Sequence, residues 1–294
     1  HVCLPCEKGY YCSGETNRIA CFIGSYQDLL NQSSIDSCKK CKAGRYSGSF
    51  WEGAVDEVVC NSCLPGKYSI SGEGQISEAV CISCLPGKYS IAGEAQTSPH
   101  VCLPCEKGYY CSGETNRIAC FIGSYQDLLN QSSIDSCKKC EAGKYSISEP
   151  GAIDENVCKA CSAGKYSDAG AGQASELTCK NCDAGKYSDA GVGQTSVSTC
   201  KNCEAGKYST AGNTSCTVCE KGYYCPGGID RIACIAGKYS MHENQTSALT
   251  CIPCNAGKYS NFGEAQTSSN TCLACVSGKY SISGEGQISE AVCI

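Results

Sequence analysis

One phrase, Cys-x-x-Gly-Lys-Tyr-Ser, returns through this 294-residue chain at a spacing close to 21 residues. Cys63, Cys84 and Cys105 stand 21 apart, as do Cys140, Cys161, Cys182 and Cys203, and again Cys254 and Cys275. Between phrases lie variable polar residues and a C-x2-C pair whose second cysteine opens the next repeat. Fifteen repeats open in this way, at Cys6, Cys21, Cys41, Cys63, Cys84, Cys105, Cys120, Cys140, Cys161, Cys182, Cys203, Cys219, Cys234, Cys254 and Cys275. A catalytic site is needed once; a phrase spelled again and again is a building block, and the chain is an array of it. All 18 tyrosines fall in the Gly-x-Tyr phrase, and three repeats read GYYC.

A longer period lies above this one. Residues 1–41 are identical to residues 100–140, and residues 66–82 to residues 278–294. Such identity marks recent duplication within a gene. It leads to the expectation that the chain is cut from a longer array, with no signal peptide of its own. Repeat type divides the sequence into a GYYC block (1–41), a variant repeat holding the single Trp (42–62), two plain repeats (63–104), a second GYYC block (105–140), four plain repeats (141–218), a third GYYC block (219–253) and two plain repeats (254–294).

The 31 cysteines set the class. At this density they read as a disulfide scaffold in an oxidising compartment, not as a cytosolic enzyme. Only four Phe and one Trp are present, so no large apolar core is available. A net charge of −5, scattered along the chain, leaves no basic patch for nucleic acid. No apolar run approaches the ~20 residues of a membrane span.

C-x2-C pairs also hold zinc. Zinc needs two pairs per site, so loops enclosing metal would alternate with loops that do not. The same phrase fills every consecutive loop, which fits one bond per repeat and not one ion per two. Sequons at Asn31, Asn130, Asn213 and Asn244 agree with a secretory route and make glycans a candidate modification.

Repeat logic then pairs each opening cysteine with the closing one: Cys41–Cys60, Cys63–Cys81, Cys84–Cys102, Cys140–Cys158, Cys161–Cys179, Cys182–Cys200, Cys203–Cys216, Cys254–Cys272 and Cys275–Cys293. A GYYC block holds four cysteines, for which three pairings exist. Cys105–Cys111 with Cys120–Cys137 is favoured, because CFIGSYQ has the form of a fresh opening; Cys105–Cys120 with Cys111–Cys137 stays open. Cys3 is left unpaired within this chain.

Within a repeat, the Gly suits a turn of positive φ, Lys-Tyr-Ser-Ile a short strand, and a stretch such as QISEAVC a second strand returning to the closing cysteine. Gln recurs seven residues after Tyr, at Gln75, Gln96, Gln173, Gln194, Gln266 and Gln287, a spacing that suits a side chain bonded to the turn backbone. Ordering some twenty residues costs on the order of 20–40 kcal/mol, whereas a disulfide around a loop of ~18 residues contributes roughly 3 kcal/mol. Each repeat therefore depends on its neighbours, with the Tyr ring packed on a disulfide and on the adjoining repeat. The expected fold is a tandem of small disulfide-rich repeats, mostly β or irregular. It is an elongated, solenoid-like rod without a large core, its stability a sum over repeats and nearest-neighbour interfaces.

C-x2-G-x-Y-S with a closing C-x2-C resembles the ephrin-receptor-like cysteine-rich repeat and the simplest loop module of tumour-necrosis-factor receptors. The resemblance covers all fifteen repeats; the GYYC repeats depart from it. It implies a bond between first and second cysteine with Tyr near the bridge. It also implies either a receptor ectodomain or the long surface arrays of protists and algae, including components of flagellar hairs (mastigonemes).

No catalytic constellation assembles: of three histidines, His1 and His100 are one position in two copies, and His242 stands alone. No cofactor or metal is expected, and the nine Lys of GKYS read as a solvated stripe. The leading expectation is a structural component of an extracellular filament, stalk or flagellar hair. Its partners would be copies of itself or other fibre proteins, and its place the cell surface or beyond. The alternatives are a ligand-binding receptor ectodomain and a glycosylated coat. Phe50 and Trp51, in SGSFWEGAVDEVV, are the one candidate contact patch; a packing plug between repeats or a fibre contact is the favoured reading of it.

Overall fold

A computed structural model describes residues 3–14 and 17–294. Contacts divide the chain into two compact units, His1–Lys138 with Ser148–Val157, and Lys139–Ile147 with Cys158–Ile294. The division falls inside the Cys140 repeat. Both are built from the same parts. No α-helix occurs among the described residues, only strands of two or three residues in two-stranded sheets and 3-10 turns of three residues.

In the first unit the Cys63 repeat is representative. Gly66, at φ +84°, turns the chain after the opening cysteine. Lys67–Tyr68 then forms a strand. The strand antiparallel to it is not QISEAVC, as the alternation suggested, but Ile82–Ser83, with Tyr68 opposite Ile82. These are the two residues inside C-x2-C. The stretch before the closing cysteine is a 3-10 turn, Glu78–Val80, capped by the Ser77 hydroxyl accepting from the Ala79 N–H at 3.2 Å. The reason is local: Ser77 offers the backbone a cap that an extended strand would not use. Ser or Asp stands four residues before the closing cysteine in eleven repeats, from Ser34 before Cys38 to Ser289 before Cys293.

The second unit repeats this design. In the Cys182 repeat, Lys186–Tyr187 pairs with Lys201–Asn202, and Ser196 caps the turn Val197–Thr199. The five-residue shorter loop of the Cys203 repeat keeps the hairpin, Tyr208 opposite Thr217.

Burial follows the cysteines. Among the described residues the buried apolar set consists of Cys and Tyr alone. Tyr26 packs with Cys41 and Cys60, Tyr89 with Cys105 and Cys111, and Tyr145 with Cys161 and Cys179. In each case the ring lies on the disulfide of the following repeat. The core is thus a series of small ring-on-cystine contacts, which explains how a chain with four Phe and one Trp folds at all.

Candidate functional site

The repeating junction is the site this molecule offers, and it is made mostly of main-chain atoms. Outside the GYYC repeats, each repeat carries at its tip a residue in the left-handed region, such as Gly74, Ala95 at φ +58° or Asn130 at φ +59°. Its N–H donates backward to the opening cysteine of the previous repeat: Gly74 to the Cys41 carbonyl at 2.7 Å, Ala95 to Cys63 at 2.9 Å, Asn130 to Cys105 at 2.8 Å. The next residue completes a clamp. The Gln75 carbonyl accepts from the Ser47 N–H at 2.8 Å, and the Gln96 carbonyl from Ser69 at 2.9 Å. In the second unit Gln173 and Gln194 accept in the same way from Ser146 and Ser167. The recurrent Gln therefore has two jobs. Its side chain bonds the turn, as Gln173 Nε2 to the Ala169 carbonyl at 2.7 Å, and its main chain ties two repeats together.

The tip reaches further still. A Cβ on Gly44 would lie 2.3 Å from the Ala95 carbonyl oxygen, and one on Gly24 2.4 Å from that of Gly74. In the second unit a Cβ on Gly143 would lie 2.2 Å from the Gly193 oxygen, and one on Gly164 2.1 Å from that of Gly212. In each pair the partner belongs to the repeat two places on. The expectation of nearest-neighbour interfaces alone is therefore corrected: a tip carbonyl fits against a bare Gly Cα, and only Gly leaves room for it.

Fifteen disulfides staple this frame. Plain repeats bond opening to closing cysteine: Cys41–Cys60, Cys63–Cys81, Cys84–Cys102, Cys140–Cys158, Cys161–Cys179, Cys182–Cys200, Cys203–Cys216, Cys254–Cys272 and Cys275–Cys293. Their Cα atoms lie 5.4 to 5.7 Å apart. In the second GYYC block the bonds are Cys105–Cys111 and Cys120–Cys137. The first and third blocks have the same pattern, Cys6–Cys12 with Cys21–Cys38 and Cys219–Cys225 with Cys234–Cys251. Cys3 is free and exposed. The thiolates a zinc ribbon would need are consumed in these bonds.

The GYYC repeats show how the staple moved. In all but the last of the GKYS repeats the Ser is buried, Ser188 fully so. Cys12, Cys111 and Cys225 occupy that Ser position, so sulfur replaces oxygen within reach of the opening cysteine. At the vacated closing position stands Arg18, Arg117 or Arg231, directly before the strands Ile19–Ala20, Ile118–Ala119 and Ile232–Ala233. Each guanidinium lies over a Tyr ring, at 4.5 Å from the Tyr10 centroid, 4.7 Å from Tyr109 and 3.7 Å from Tyr223. Each also bonds a carboxylate, Glu7, Glu106 or Glu220. Sequence reading passed over these arginines, although the recurrent R-I-A-C was a visible signal.

Charge elsewhere is arranged as exposed pairs. Lys39, Lys138, Lys180 and Lys201 bond Asp28, Asp127, Asp168 and Asp189 at 2.8 Å. The hydrogen bond from Lys holds each of these carboxyls below the usual carboxylate range and raises the ammonium in turn. Burial pushes the Tyr26 phenol up.

Phe50 and Trp51 are 88% and 81% exposed. They are not a plug between repeats. Their loop is shaped instead by serine turns, Ser47 Oγ accepting from the Ser49 N–H and Ser49 Oγ from the Trp51 N–H, while Gly53 carries the docking tip. Of the sequons, Asn31, Asn130 and Asn244 are exposed tip residues at φ 59° to 60°, while Asn213 is half-buried. His1 lies outside the described residues; His100 sits in the turn Pro99–Val101.

No family model matches the chain, and no curated protein matches it significantly. What the molecule establishes directly is a tandem of small, disulfide-stapled, cysteine-rich repeats of the kind built in an oxidising environment, fit for an extracellular structural or surface protein. No helix among the described residues is long and apolar enough to cross a membrane.

Proposed function

We propose that this chain is a load-bearing component of an extracellular filament, stalk or flagellar hair, assembled from ephrin-receptor-like repeats, and that it is not an enzyme. One observation carries the reading: in the plain repeats the disulfide closes off the whole loop. Tension entering at Cys63 crosses to Cys81, 5.4 Å away between Cα atoms, then traverses three residue steps of at most ~3.6 Å each to Cys84. The loop between is shielded from the pull. Its partners are copies of itself or other fibre proteins, whose regular surfaces favour filamentous packing. N-glycans on Asn31, Asn130 and Asn244 complete the surface. Electron microscopy of the native material before and after reduction tests the reading: regular filaments that come apart on reduction are expected, and chains that never assemble refute it.

A second reading has its own observation. Phe50 and Trp51 form an exposed aromatic pair, the composition of a binding hot spot, which suits a receptor ectodomain or a surface coat that captures a protein. Phe50→Ala with Trp51→Ala separates the two: lost filament assembly makes the pair a fibre contact, whereas intact assembly with loss of a bound partner makes it a receptor site.

A further inference from the structure

Followed as covalent paths, the junctions between repeats are of two kinds. In plain repeats the closing cysteine stands three residues before the next opening one, as Cys81 before Cys84. In the GYYC repeats the ring closes early. Cys105 bonds Cys111, and the nine residue steps from Cys111 to Cys120 have no disulfide across them. The same nine steps separate Cys12 from Cys21 and Cys225 from Cys234.

Only non-covalent contacts fold the described residues of these segments. In the second block they include the strand pair Tyr109–Tyr110 with Ile118–Ala119, the Cys120 N–H on the Gly108 carbonyl at 2.8 Å, the Gly87 N–H on the Cys111 carbonyl at 2.8 Å, the Cys111 N–H on the Gln131 carbonyl at 2.8 Å, and the Ser90 N–H on the Glu114 carbonyl at 2.9 Å. Arg117 adds its place over Tyr109 and its bond to Glu106. All of this yields at forces far below those that break a covalent bond, and all of it re-forms, because both ends stay anchored by cystines.

We infer that the three GYYC repeats are reversible extensible links in a chain whose other repeats do not lengthen. The inference rests on the load-bearing reading for its purpose, though its physics belongs to the single chain. Nine residue steps extend to about 32 Å; in the folded hairpin Cys111 and Cys120 are on strands about 5 Å apart and staggered by three residues, a separation of about 11 Å. Each link therefore releases about 20 Å. The spacing of the links along the chain would give a fibre graded, recoverable stretch.

The test is to pull the full chain by its two ends in non-reducing buffer. Three lengthening steps of about 20 Å each are expected, recovered on relaxation. Cys111→Ser with Arg117→Cys moves one staple to the base of its loop, a separation of 12 residues, close to the 13 of Cys203–Cys216. That variant, its new bond verified by mass spectrometry, is expected to show two steps. Arg117→Ala is expected to keep three, one of them at lower force. A native chain without steps, or a verified staple that leaves all three, overturns the extensible links. Steps matching whole stapled loops in the oxidised chain would overturn the load-bearing reading instead.

Discussion

The Cys182 and Cys105 repeats carry the same Gly-x-Tyr phrase, and each accepts a main-chain bond from the repeat before it, Ser167 N–H on the Gln194 carbonyl and Ser90 N–H on the Glu114 carbonyl, yet they place their one disulfide differently. In the first, sulfur closes the whole loop and a buried Ser188 lies inside. In the second, a cysteine stands where that serine would be, and Arg117 stands where the closing cysteine would be. The hairpin survives the exchange because the strand residues are the same two positions in both, Lys186–Tyr187 with Lys201–Asn202 and Tyr109–Tyr110 with Ile118–Ala119. Docking and stapling are thus separable, and the docking sets the fold.

The comparison breaks most sharply under disulfide removal. Replacing Cys182 and Cys200 by Ala releases a loop of separation 18 and is expected to cost about 3 kcal/mol. Replacing Cys105 and Cys111 releases one of separation 6 and is expected to cost about 2 kcal/mol. Thermal unfolding, with hydrogen exchange to localise the loss, reads both. Next comes the docking crevice. Gly164→Ala places a Cβ 2.1 Å from the Gly212 oxygen at φ +81° and is expected to cost about 2 kcal/mol or more. Gly170→Ala, at φ +76° with open space around it, is expected to cost about 1 kcal/mol. Equal losses would show that φ alone, and not the crevice, selects glycine.

Arg117→Ala tests what took over from the closing cysteine. Its ring contact and partly exposed ion pair predict a loss of about 1 kcal/mol, seen as faster exchange in residues 109–119. The smallest effect concerns acid. Carboxyls such as Asp168 and Asp189, held low by their lysines, contribute stability above the ordinary carboxylate range and lose it as pH falls through their lowered values. Melting temperature is expected to be flat from neutral pH down to that range and to fall slightly below it. Asp189→Asn should abolish that repeat's share of the fall.

Period, class and the ring-on-cystine packing were all legible, because cysteine spacing and Tyr placement are side-chain facts. The second strand was misplaced because QISEAV alternates well enough to suggest extension. The better signal was Ser77, four residues before Cys81, where a hydroxyl can cap a turn. The reach across two repeats left no trace except the glycines themselves. It joins a carbonyl to a bare Cα, so Gly44 could be read only as a turn residue. Phe50 and Trp51 were legible as a candidate contact patch, and both are exposed; only the reading of them as a plug fails, because the contacts that fix the loop are serine turns beside them.

Every tip bond points toward residues already made. The N–H of Asn130 seeks the carbonyl of Cys105, and its own carbonyl sits against Gly87. A chain emerging amino end first therefore meets each docking surface finished before the tip that needs it arrives. Each opening cysteine has its mate within 6 to 19 residues, so the bond can close before the next repeat is complete. Thirty cysteines can then be oxidised in order, two at a time, and the crowd of wrong partners in the full sequence is never present at once.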